Sequence, residues 1–144
     1  MMNFRTCIGL LAVPAMVLTI PACGERKREQ ARECHMLYVE YCKTWYSLNE
    51  NNVKETAEKL DSLLTRLNNF FPEFDFSSVK YLPKWERDIV VDSIVQHTER
   101  LCSTLENPGM KVLIDRLFSE NPGLKEKSVQ FDEMVSQKIK ITDF

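Results

Sequence analysis

The sequence predicts an all-α fold: a bundle of three longer helices followed by two short C-terminal helices, after an N-terminal signal segment. Three observations predict it. Apolar residues recur at steps of three and four along most of the chain, only Phe74-Asp75-Phe76 alternates in a strand-like way, and Gly and Pro number just four and six in 144 residues. A chain of this length that is 44% hydrophobic and 28% charged suits one globular domain with a single core. It does not suit a disordered low-complexity chain, a collagen-like repeat or a multi-domain enzyme. Nineteen Lys and Arg against 21 Asp and Glu leave a net charge of −2, with no basic field to grip a phosphate backbone, so nucleic acid is excluded as the expected partner.

Each element has its own signal. From about Glu25 to Leu48 the residues Ala31, Cys34, Tyr38, Tyr41, Trp45 and Leu48 form one stripe, the mark of a helix facing a partner. Asn49-Glu50-Asn51-Asn52 interrupts it, and Asn52 with Glu55 offers a capping pair for a second helix. That helix carries Val53, Ala57, Leu60, Leu64, Leu67 and Phe71, and the short turn between the two implies an antiparallel hairpin. Pro72 ends it. After a long connection, Pro83 opens a third helix to about Glu106, with Val90, Ile94, His97, Leu101 and Leu105 in its stripe and Val91, Val95 and Cys102 beside it. Asn107-Pro108-Gly109 recurs as Asn121-Pro122-Gly123, and each block reads as turn chemistry that starts another short helix. The first would carry Val112, Leu113, Ile114, Leu117 and Phe118, the second Phe131, Met134, Val135 and Ile139.

The N-terminus differs from the rest. Arg5 is the only charge in residues 1–22, and Cys7 to Ile20 is nearly all apolar. Fourteen residues rise only about 21 Å as a helix against a hydrocarbon core of roughly 30 Å, which reads as an export signal rather than a permanent span. It closes on Ile20-Pro21-Ala22-Cys23, which resembles the lipobox of bacterial lipoproteins. The resemblance covers residues 1–23 alone. It implies cleavage behind Ala22, diacylation of Cys23 and a domain held at a membrane on the exported side of a bacterial cell envelope. Gly24 in place of Asp implies the outer membrane in an enterobacterium-like host. Two alternatives stay open: ordinary cleavage after Ala22, giving a soluble periplasmic or secreted chain, and an uncleaved anchor. The resulting organisation is a signal peptide at 1–22, lipid attachment and tether at 23–32, and a helical bundle at 33–144. Arg26, Lys27, Arg28 and Arg32 could touch lipid phosphates, but Glu25, Glu29 and Glu33 alternate with them at helical spacing, and a solvated helix start is the plainer reading.

Three cysteines remain beyond Cys23. Cys34 and Cys42 lie about 12 Å apart along one helix, too far for a disulfide, whose Cα atoms stand within about 7 Å. Cys42 and Cys102 fall at similar heights on parallel helices and are the expected bridge; all three as reduced core thiols is the alternative. Zinc is disfavoured, because no Cys-x₂₋₄-Cys pair occurs among Cys34, His35, Cys42, His97 and Cys102. His97 reads as a hydrogen-bonded core histidine and His35 lies at its stripe's edge. The acidic residues of the third helix read as a solvated face. Glycines at 9, 24, 109 and 123 form no phosphate loop, which disfavours a nucleotide.

Six of the 14 aromatic residues fall between Phe70 and Trp85. Such a connection either plugs the bundle end or presents a surface. The expectation is thus a non-catalytic, lipid-anchored module without metal or cofactor. Its expected partners are the membrane and an envelope protein, met through a patch of Phe74, Phe76 and Tyr81. The competing class is a small ligand-binding or thiol-dependent protein, with the 70–85 loop as lid over a cavity reached by Cys34 or His97.

Overall fold

The computed structural model describes residues 4–141, with side chains described for 23–138. Among the described residues there are five α-helices and no strand. Helix α1 spans Phe4–Tyr46, α2 Val53–Phe70, α3 Lys84–Glu106, α4 Pro108–Glu120 and α5 Pro122–Ile141. The predicted all-α bundle is present, but only α4 is short: α5 has 20 residues against 18 in α2. No helix of the described residues is long and apolar enough to cross a membrane.

α1 and α2 join through a turn in which the Asn52 side chain does not make its predicted cap. No side chain caps α2; Asn52 Oδ1 instead accepts from the Asn49 backbone N–H at 2.8 Å and Nδ2 donates to the Ser47 carbonyl at 2.7 Å. The residue that looked like a helix start therefore closes the loop before it. Behind it, Val53, Ala57, Leu60, Leu64 and Leu67 are all buried, so the stripe read from spacing is the face that packs. α3 runs parallel to α1, since the pairs Arg32–Glu86, His35–Ser93 and Tyr38–Thr98 advance together along both helices.

The two Asn-Pro-Gly blocks serve different ends. Asn107 caps α4, its Oδ1 accepting from the Gly109 and Met110 N–H groups at 2.9 and 3.3 Å, with Pro108 fitting the first turn where its missing donor is not needed. The Asn121 amide points the other way and donates to the Leu117 carbonyl at 2.9 Å, closing α4. Leu117 on α4 and Leu124 and Phe131 on α5 then enter the main core with α1 and α2.

Residues 23–32 are helical, as the stripe from about Glu25 predicts, but this helix start is docked rather than wholly solvated: Ala31 is 1% exposed, Lys27 Nζ lies 3.3 Å from Asp75 Oδ2, and Arg32 grips Glu86. The physical reason is that the segment meets partners from elsewhere in the chain. Ala31 packs with Leu82 and Val90 in a second, smaller apolar cluster, and the cations at 27 and 32 find carboxylates there.

Candidate functional site

The 70–85 connection folds into two 3-10 turns, Phe71–Glu73 and Phe76–Tyr81, with Asp75 between them. Asp75 Oδ1 accepts from the Ser77 N–H at 2.9 Å, and the Ser77 and Lys27 contacts hold its carboxyl down at about 2. Phe71 and Phe131 approach to 5.2 Å edge to face, and Phe74 contacts Phe70 and Phe76 at the same centroid distance. Lys138 of α5 donates to the carbonyls of Pro72 and Phe74. The segment is thus a plug.

This divides the predicted patch. Phe74 is 2% exposed and belongs to the core, Phe76 packs half-buried against it, and only Tyr81 stands out at 52%. Phe74 cannot offer a contact surface, because its ring fills the end of the bundle. No residue of the 70–85 segment lines the cleft described below. The exposed aromatic residue that the patch omitted is Trp85, at 67%; its place in the first turn of α3, just after Pro83, was the available signal.

Between α1 and α3 lies a seam of polar contacts. Arg32 makes two charge-assisted bonds to Glu86, at 2.6 and 2.8 Å. His35 Nε2 meets Ser93 Oγ at 2.8 Å, and desolvation, with the nearby His97, lowers its pKa. Thr98 gives its proton to the Ile94 carbonyl, so the Tyr38 hydroxyl is the donor in their 2.7 Å contact. Tyr46 donates to the His97 carbonyl at 2.6 Å and stacks on the His97 ring, while the Arg100 guanidinium lies over the Tyr46 ring, 4.4 Å from its centroid. The His97 ring meets the Tyr46 hydroxyl at Nδ1, 3.3 Å away, and is half-buried, so it is hydrogen-bonded as predicted but lies at the edge of the core rather than in it.

The expected Cys42–Cys102 bridge is not formed: both are free thiols, Cys42 buried and Cys102 exposed. They interact electrostatically across the seam, but α3 turns Cys102 to its solvent side while Cys42 faces Tyr38 and Tyr46. Desolvation, partly offset by those two hydroxyls, pushes the Cys42 thiol up to about 11; burial pushes Cys34 up to about 12. Both are poor nucleophiles at neutral pH. Among the described residues, no three His, Cys, Asp or Glu side chains gather to hold a metal.

A cleft of about 580 Å³ opens between α1, α3, α4 and α5, a size within the range of small-molecule and side-chain pockets. Tyr41, Trp45, Phe118 and Phe131 supply its aromatic lining, Leu101, Leu105 and Ile114 its aliphatic lining, and Lys111, Asp115 and Asp132 its charged positions. Burial raises the Asp132 pKa and, despite the Trp45 and Ser128 contacts, that of the Tyr41 hydroxyl. Trp45 is 2% exposed, and among the described residues its Nε1 has no hydrogen-bond partner. Neither Cys34 nor His97 lines the cleft. Sequence spacing identified Tyr41, Trp45 and Phe131 as stripe residues and missed that α4 and α5 leave a gap beside them. At the far end of the bundle, Cys23 is exposed at the head of the docked part of α1.

No known family, characterised protein or solved structure matches this chain.

Proposed function

We propose that the chain is a lipid-anchored contact module of the bacterial cell envelope, without a catalytic role, held by Cys23 on the exported side and meeting an envelope protein through the cleft at its other end. The observation that carries this is the separation of the two features. Cys23 is exposed at one end, and Trp45, on the cleft wall, lies 22 residues further along α1, about 33 Å at about 1.5 Å per residue. Anchoring at the first end leaves the second free to meet a partner, and confinement to a surface raises the effective concentration so that a modest contact suffices.

Labelling with a fatty-acid analogue tests the anchor. The native chain takes up label and stays with membranes through a high-salt wash, and Cys23→Ala takes up no label and is released by that wash. Recovery of a soluble, unlabelled chain with Met1 intact would sink the reading. The contact is tested by a photoreactive benzoylphenylalanine in place of Lys111, which should yield one protein adduct in intact cells and lose it when Ile114→Trp fills the cleft.

Binding of a small apolar ligand is the second reading, supported by the aromatic wall of the same cleft. It predicts saturable binding of a neutral aromatic probe such as N-phenyl-1-naphthylamine, lost in Ile114→Trp, and no protein adduct at position 111.

A further inference from the structure

We propose that Tyr81, Trp85 and Ile89 form the face on which the bundle rests against the lipid surface, with Lys80 and Lys84 set against the phosphates of an anionic leaflet. The inference rests on the anchored reading, since it places residue 23 at the membrane, and it adds which side of the molecule touches lipid.

Exposure comes first. Tyr81, Trp85 and Ile89 are all more than half exposed; Trp85 and Ile89 stand one turn apart on α3, and Tyr81 ends the 3-10 turn that only the extended Leu82 and Pro83 separate from that helix. Three large exposed side chains so close in the chain differ from the scattered exposed residues that any surface carries.

Position comes second. The Tyr81 ring lies beside the first residues after Cys23: a β-carbon at Gly24 would stand 3.9 Å from Tyr81 Cδ1. Trp85 precedes Glu86, which is bound to Arg32 of α1. Lys27 is bound to Asp75 just before the same 3-10 turn. No free linker separates the attachment point from this face, so acyl chains entering the membrane at Cys23 bring Tyr81 and Trp85 to it.

Chemistry comes third. Tyr and Trp are the side chains that settle at headgroup depth, an apolar ring below and a polar edge above. Lys80 and Lys84 are exposed beside them and make no ion pair among the described residues, whereas Lys27 and Arg32 are already engaged. Asp88 and Asp92, exposed in the next turns of α3, would be repelled by an anionic leaflet. They limit the contact to the start of the helix and tilt the bundle away from the surface beyond it.

The two tryptophans supply the test. The full chain is bound to vesicles of phosphatidylcholine and phosphatidylglycerol whose acyl chains carry bromine near the headgroup. Trp85 emission is quenched, and Trp85→Phe, which leaves only buried Trp45, is not quenched. In the Cys23→Ala chain, where the face acts without acyl chains, Lys80→Gln with Lys84→Gln lowers partitioning about 25-fold, from about fivefold per lysine. Acylated chain that sediments with the vesicles while Trp85 stays unquenched, including a Trp85 covered instead by a co-purifying protein, overturns this inference and leaves the anchor standing. A chain that is neither acylated nor sedimented overturns both.

Discussion

His35 is held neutral by its surroundings: the ring is partly desolvated, faces the His97 ring's field and shares a hydrogen bond with Ser93. A histidine whose folded pKa lies below its unfolded value binds fewer protons when native. Its contribution to stability is therefore complete above about pH 6.5 and is lost as pH falls through the lower folded value. The melting temperature of the native chain should drop on acidification from about pH 7 to about pH 5 more steeply than that of His35→Gln, which keeps a hydrogen-bonding group and does not titrate. Equal slopes would mean that charging His35 costs the fold nothing. The cysteines sort by the same physics. Cys102 is exposed, whereas Cys34 and Cys42 are buried with raised pKa values. An aromatic disulfide reagent at neutral pH should react with Cys102 in the reduced native chain and reach Cys34 and Cys42 only after denaturation. Rapid native reaction at Cys42 would show that the seam opens readily.

Among the elements, α4 depends most visibly on its cap. Asn107 accepts from two N–H groups that the helix cannot satisfy itself, and α4 has only 13 residues over which to recover the cost of starting. Asn107→Ala should lower the unfolding free energy by about 1 kcal/mol in urea titration, with Asn107→Asp close to native; Asn121→Ala, which loses a single bond to Leu117, should cost less. A cost at Asn121 equal to that at Asn107 would contradict the different roles of the twin blocks. How far such roles are legible in sequence depends on their range. The α2 stripe from Val53 to Leu67 was readable because helical period is a local property, and the α1 stripe missed the buried Leu37, Cys42 and Thr44 on its flanks and included Tyr38, which is only half-buried. Asn52 was misread because a turn and a cap ask for the same side chain, and only the backbone around it decides. The docking of residues 23–32 and the plug role of Phe74 depend on partners over 40 residues away, Asp75 for Lys27 and Phe131 for the phenylalanine cluster, and no periodicity carries that information. The cleft was equally hidden, since a gap is set by how α4 and α5 sit on α1.

In the molecule as a whole, the long helices are held by different forces. α2 buries eight residues, five of them Leu or Val, in the main core. α3, though five residues longer, buries only Val90 and Leu101; Val91 and Val95 of its flank face solvent. What fixes α3 is the polar seam to α1 and the small cluster of Ala31, Leu82 and Val90. A net hydrogen bond adds only about 1 kcal/mol, because water offers a competing partner, whereas a buried Leu adds about 2 kcal/mol or more by leaving water. Opening α3 therefore exposes far less apolar surface than opening α2, and local opening free energies follow buried surface. Hydrogen exchange read by peptide mass spectrometry should show residues 84–106 exchanging through a lower-energy opening than residues 53–70, and Tyr38→Phe or Tyr46→Phe should speed exchange in α3 while leaving α2 unchanged. Since α3 carries Trp85 and Ile89, lipid contact at those residues should slow its exchange selectively, by removing an exposed surface from the open state's competitor. If α3 and α2 instead exchange together through global unfolding, the seam is as strong as the core and α3 is no separable part.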